Sequence, residues 1–165
     1  MMIKSLLLSG LILIAAGLPL SGCSSSNSTP QPAPDITGQP GGSEQAYTAR
    51  TGNGVDVFYF EEENPCECMA EFGAVIKDAI RTSFTSELQD GSLRFFVVFS
   101  DDSSNREVLE LFDNPLYDLY IVEFESGNGT ATPVREMWSM MGDDDVLASY
   151  VEARVRDALS RHGAS

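Results

Sequence analysis

The chain has 165 residues, with 25 acidic against 10 basic side chains, a net charge of −15 and a single histidine. Nucleic acid and anionic lipid surfaces repel so negative a protein and are disfavoured as partners. One histidine at the far C-terminal end, His162, builds no Ser-His-Asp triad, and no phosphate-cradling glycine loop stands between a predicted strand and a helix.

At the N-terminus, Lys4 precedes an apolar run from Leu6 to Leu20 that is broken by Ser9, Gly10 and Gly17. At about fifteen residues the run is short for a membrane span and suits the apolar core of a secretory signal. It ends in Leu20-Ser21-Gly22-Cys23, which resembles the bacterial lipobox. That resemblance implies a signal peptide over 1–22, cleavage before Cys23, a diacylglyceryl thioether on its sulfur and usually a third acyl chain on the new N-terminus. Several acyl chains anchor stably, since each buried CH₂ contributes about 0.8 kcal/mol. The expected location is the cell membrane or outer membrane, lipid-anchored, facing the periplasm or exterior. Loss of Lys4 with the signal leaves a net charge of −16.

Residues 23–54 hold the lipidated Cys23 and then Ser, Pro, Gly, Gln and Thr, with Ile36 and Tyr47 the only sizeable apolar side chains. Such a segment buries too little surface to offset the entropy of ordering, so it reads as a disordered tether. Residues 55–165 remain, enough for one domain with one core.

Within the domain, Val55–Phe60 is apolar except for Asp56 and predicts a buried strand. Glu61-Glu62-Glu63-Asn64-Pro65 ends it, because proline interrupts a ladder and suits a helix start. A helix from about Cys66 to Phe84 follows, its stripe formed by Met69, Phe72, Val75, Ile76, Ala79 and Ile80 at spacings of three and four. Gln89-Asp90-Gly91-Ser92 predicts a turn. Leu93–Phe99 is almost continuously apolar and predicts a central strand covered on both faces. Any residue of Asp101-Asp102-Ser103-Ser104 can cap a helix over about 105–112, which Asn114-Pro115 stops.

Leu119–Phe124 predicts a third strand. Ser126-Gly127-Asn128-Gly129 predicts a hairpin turn through its Asn-Gly pair, and Thr130–Val134 the returning strand. Met137, Met140 and Met141 are expected to pack in the core around Trp138. Asp143-Asp144-Asp145 caps a last helix, with Leu147, Tyr150, Val151, Val155 and Ala158 facing inward. The expected fold is therefore α/β, in the order β-α-β-α-β-β-α, with a central mixed sheet and helices on both faces.

With Cys66 and Cys68 between the first strand and first helix, the pattern looks thioredoxin-like. More narrowly, the chain resembles small thioredoxin-like proteins of the ArsF type, also described as nitroreductase subunit-like. Val57-Phe58-Tyr59-Phe60, Cys66, Lys77-Asp78-Ala79-Ile80, Leu88, Gly91, Leu93, Trp138, Gly142-Asp143, Tyr150-Val151 and Val155-Arg156 carry the resemblance. It implies a thioredoxin-like domain with thiol chemistry; the expected partner of such chemistry is a protein thiol or disulfide, with no cofactor expected. Two features depart from that pattern. The cysteines are separated by one residue rather than two, with Met69 in the second position, and Tyr117-Asp118-Leu119 stands where thioredoxins place a cis-proline.

A structural role for a Cys66–Cys68 bond is poorly motivated, because so short a loop gains only about 1–2 kcal/mol of chain entropy before strain is subtracted. Strain makes such a bond easily reduced. As a redox pair in a possible thiol–disulfide oxidoreductase, Cys66 at the helix start is the nucleophile and Cys68 the resolving thiol. Glu61, Glu62, Glu63, Glu67 and Glu71 oppose the thiolate that the helix dipole favours. The alternatives are a Cu(I)-type metal site built on the two thiols with Met69, and an interaction module that has kept the fold without the activity. His162 is expected to be solvent-exposed rather than a ligand. Asp101 or Asp102 is expected to cap a helix rather than to relay protons to a thiol.

Overall fold

The computed structural model describes residues 47–162; Cys23, the signal segment and the tether as far as residue 46 lie outside them. The protein is mixed α/β. Its elements are β1 (Gly54–Glu61), α1 (Glu67–Ser83), α2 (Thr85–Asp90), β2 (Leu93–Phe99), α3 (Arg106–Leu111), β3 (Leu119–Glu125), β4 (Asn128–Pro133) and α4 (Asp144–His162), with 3₁₀ turns at Ser103–Asn105 and Arg135–Met140. The four strands form one open mixed sheet in the order β2-β1-β3-β4. β1 runs parallel to β2, pairing Val55 with Leu93 and Glu61 with Phe99. It runs antiparallel to β3, pairing Val57 with Ile121. No helix among the described residues is long and apolar enough to cross a membrane.

The inner strand that carries the fold is β1, all eight residues of which are buried. Its side chains alternate between two apolar clusters, as strand geometry requires. Val55, Val57 and Tyr59 join Phe72, Ile76 and Ile80 of α1 and Leu147, Val151, Val155 and Ala158 of α4. Phe58 and Phe60 join Leu109 of α3, with Phe96, Phe112 and Tyr120 packed alongside. Full burial of each such side chain contributes about 1.5–3 kcal/mol.

Several expectations are corrected by this architecture. The Leu93–Phe99 strand is at the sheet edge, and five of its seven residues, Arg94–Val97 and Phe99, are only partly buried. Its apolar run is explained by aromatic packing, since the Phe58 and Phe96 rings stack at 4.9 Å. The first helix ends at Ser83, as expected, with Phe84 (φ −125°, ψ 34°) as its cap, but Gln89 and Asp90, expected in a turn, close a short α2 before Gly91 turns the chain at φ 80°. The hairpin turns one step early: Ser126 (φ 51°) and Gly127 (φ 81°) are its two central residues, and Asn128 already pairs with Glu125. Two consecutive positive-φ residues match the right-handed twist of the strands.

Tyr47 and Arg50, assigned by composition to the tether, are bound to the domain. The reason is Asp56, which is wholly buried. Arg50 Nε donates to Asp56 Oδ1 at 2.6 Å, Arg94 pairs with the same carboxylate, and the Tyr47 hydroxyl donates to Oδ2 at 3.2 Å. Two guanidiniums and a hydroxyl supply what a buried carboxylate requires. Arg50 also donates to the carbonyls of Gly91, at 2.7 Å, and Val55, at 3.1 Å, which fastens the strap to the start of β1.

Candidate functional site

The candidate site lies where the carboxyl ends of β1 and β2 meet the start of α1. β1 ends at Glu61, and the loop 62–66 leads to Cys66, which occupies the N-cap position of α1 with extended backbone (φ −64°, ψ 158°) and makes no side-chain cap. Both neighbouring loops hold this one in place. The Ser100 amide donates to the Glu61 carbonyl at 2.8 Å and the Phe60 amide to the Asp118 carbonyl at 2.9 Å. The Glu63 amide donates to Asp101 Oδ1 at 3.0 Å.

Cys66 and Cys68 are both free and exposed, and their Sγ atoms are 3.3 Å apart. A disulfide needs about 2.05 Å, so closure takes a movement of little more than 1 Å. The two thiols are not equivalent. The Met69 amide at the helix start holds the Cys66 thiol below its ordinary pKa, helped by a hydrogen bond from Cys68 and opposed by the charge of Glu62. Donation to Cys66, and then the charge of that sulfur, push the Cys68 thiol up. The arrangement therefore offers one exposed nucleophilic sulfur with a protonated second thiol touching it.

Tyr117 completes the rim. Its hydroxyl donates to Glu62 Oε2 at 2.6 Å, which with burial and nearby negative charge raises its pKa to about 12. It adopts φ 54°, a left-handed conformation that a bulky side chain rarely takes, in a loop that also holds Asp113 (φ 61°) and Asn114 (φ 53°). Trp138 lies beside the same helix start: it stacks on Phe72 at 5.4 Å, one turn beyond Cys68, and its indole N–H points to Asp118 Oδ1 at 3.5 Å.

Beneath α1 lies a partly buried ion pair, its carboxylate buried and its ammonium half-covered. Lys77 Nζ donates to both oxygens of Glu61, at 2.8 and 2.9 Å. The helix comes close because residue 73 is glycine: a Cβ there would stand 2.8 Å from the Tyr59 hydroxyl and 2.9 Å from Glu61 Oε2. That hydroxyl is buried without a hydrogen-bond partner.

Other expected contributors are placed elsewhere. Met69 packs against the core, which leaves two sulfurs rather than three as soft donors, and among the described residues no three or more His, Cys, Asp or Glu side chains gather as a metal set. Asp102 caps the 3₁₀ turn by accepting from the Ser104 amide at 2.8 Å, and Asp101 holds the thiol loop. Contrary to expectation, His162 is mostly covered and lies 3.0 Å from Glu123, which Arg161 also grips. Met137 is fully buried, but Met141 and Trp138 are exposed, so the methionines do not form one core around the indole. A cavity of about 470 Å³ lined by Phe84, Arg156 and His162 lies at the opposite end of α1. A helix of 17 residues spans about 25 Å, which separates the cavity from the thiols.

No family model matches the chain, and no curated protein matches it.

Proposed function

We propose that the protein is a thioredoxin-like, lipid-anchored extracytoplasmic protein that carries out thiol–disulfide exchange through Cys66 and Cys68. The observation that carries the reading is the pair itself: two exposed free thiols at 3.3 Å, the first at the start of a long helix. What supports a thioredoxin-like arrangement is the strand order β2-β1-β3-β4, with β1 parallel to β2 and antiparallel to β3, and helix residues in both apolar clusters that flank β1. Anchoring rests on Leu20-Ser21-Gly22-Cys23, with Cys23 the acylated residue. The kinship with the ArsF-type proteins rests on the residues named above and is part of the same proposal.

In the reducing direction the Cys66 thiolate attacks one sulfur of a partner disulfide. A Cys66–partner bond forms, and the partner's other sulfur leaves as a thiolate that takes a proton from water. Cys68 then loses its proton to solvent and attacks the Cys66 sulfur, expelling the partner's remaining thiol. Two electrons have passed to the partner, and a Cys66–Cys68 disulfide remains. The reverse sequence delivers that disulfide to a partner dithiol. A bond across so short a loop is strained, which favours the reverse direction.

Mixed-disulfide trapping tests the reading. Cys68→Ala is expected to accumulate a partner bonded to Cys66, and Cys66→Ala to accumulate none. Failure of both variants to trap any partner, with no exchange between the wild-type pair and a dithiol, would remove the proposal.

A further inference from the structure

Exposed apolar side chains and carboxylates both stand on the elements that border the thiol loop. Leu116 and Trp138 are 45% and 37% exposed, large values for such side chains. Trp138 is fixed against α1 by its stack on Phe72 and by Asp118. Leu116 sits on the loop that sends Tyr117 to Glu62 beside Cys66. Amphipathic aromatic side chains held rigid at a surface are characteristic anchors for a partner.

Charge decides which partner. Three chain segments meet at this end of the sheet. Residues 62–71 carry Glu62, Glu63, Glu67 and Glu71; residues 100–105 carry Asp101 and Asp102; residues 112–118 carry Asp113 and Asp118. None of the three holds a lysine or arginine. Lys77 is consumed by Glu61, and against the eight carboxylates stand only Arg106, just beyond the second segment, and Arg135, on the turn that carries Trp138. An acidic partner approaching the thiols would meet repulsion, and a basic one attraction, over a distance set by the Debye length.

We infer that this face docks an extended protein segment in which lysine or arginine, next to an apolar side chain, flanks the reacting cysteine. The apolar side chain rests on Trp138 and Leu116, and the basic residues face the carboxylates of the three loops. This deepens the thiol-exchange reading and rests on it for the chemistry, but the docking itself needs no reaction.

The test uses the full reduced chain and three substrates that carry an activated aryl disulfide: a peptide flanked by Lys and Phe, the same peptide with Glu for Lys, and a small neutral disulfide without a peptide. In each, Cys66 attacks the sulfur bonded to the aryl thiolate and displaces that coloured group, and Cys68 then attacks Cys66 and releases the remaining peptide or small thiol. The basic peptide is expected to react about tenfold faster than the acidic one at about 0.01 M salt, with the difference largely lost near about 1 M. Trp138→Ala is expected to slow the basic peptide about tenfold and to leave the small disulfide unchanged. Because Trp138 also covers Phe72, Leu116→Ser on the exposed loop serves as the second variant, with the same selectivity of effect. Equal rates for both peptides, or an equal loss on the small disulfide, would overturn the docking surface. If no substrate reacts, the exchange reading fails, and binding of a cysteine-free basic peptide still decides the surface: salt-sensitive binding weakened by Leu116→Ser upholds it, and no binding removes it.

Discussion

Tyr117 and Glu62 are 55 residues apart in sequence, and the Tyr117 hydroxyl donates to the Glu62 carboxylate at 2.6 Å from a backbone held at φ 54°. The contact joins the loop before β3 to the thiol loop and holds the carboxylate whose charge acts against the Cys66 thiolate. Strain of this kind persists only where its surroundings fix it, and it concentrates at working sites.

Glu62→Gln removes a negative charge that works against the Cys66 thiolate. More of the thiol is then ionised at neutral pH. Alkylation of Cys66 by iodoacetamide is expected to speed up by about two- to fivefold near pH 7, with the rate–pH profile displaced to lower pH. An unchanged profile would show that Glu62 does not act on the sulfur.

Cys68→Ala and Cys68→Ser differ in one group. Alanine removes the donor that holds the Cys66 thiolate, whereas serine keeps a hydroxyl in its place. Alkylation of Cys66 near neutral pH is expected to slow in the alanine variant by about threefold or more and to stay nearer wild type in the serine variant, as follows for a charge-assisted hydrogen bond. Equal rates in the two variants would contradict donation from Cys68.

Lys77→Met leaves the buried Glu61 carboxylate without its cation. Breaking such a pair costs about 3–5 kcal/mol, while replacing both partners by apolar residues is often near neutral. Urea unfolding is expected to show a large loss in Lys77→Met and most of it restored in Glu61→Leu/Lys77→Met. The unpartnered hydroxyl next to this pair predicts the opposite sign for Tyr59→Phe, a gain of about 1 kcal/mol from removing a buried donor that makes no bond.

Alkaline pH acts on the N-terminal strap. Burial, then the negative charge of Asp56, raises the Tyr47 pKa from 10.0 to about 12. The folded state therefore holds this proton more tightly than the unfolded chain does. Its contribution is complete below pH 10 and is lost as pH rises toward about 12. Stability measured between those limits is expected to fall less steeply in Tyr47→Phe than in wild type, even though the variant starts lower by the loss of the bond to Asp56.

Local pattern made much of this fold legible. The apolar run of β1, the three- and four-residue spacing of α1 and the aspartates before α4 fall where the structure has them. What composition cannot give is lateral position in a sheet. Leu93–Phe99 is as apolar as an inner strand, in part because Phe96 packs onto Phe58 and Tyr47, yet it stands at the edge. The tether boundary was hidden for a related reason: Tyr47 and Arg50 look like linker until Asp56 is seen to be buried and to need them. At the candidate site, the cysteines were visible from their spacing. The contacts of Tyr117, of Trp138 and of the Glu61–Lys77 pair were not, since each is made with a partner distant in sequence; Gly73, alone inside a helical stripe, was the one local sign that something approaches closely there.

The central claim is that Cys66 and Cys68 form a reversible two-electron couple, and its midpoint in graded thiol–disulfide buffers tests this most directly. A strained bond between residues so close in sequence predicts reversible interconversion with a potential above about −200 mV, toward the oxidising end of the thioredoxin-type range. Thiols that stay reduced across all buffers, or that oxidise only between molecules, would contradict it.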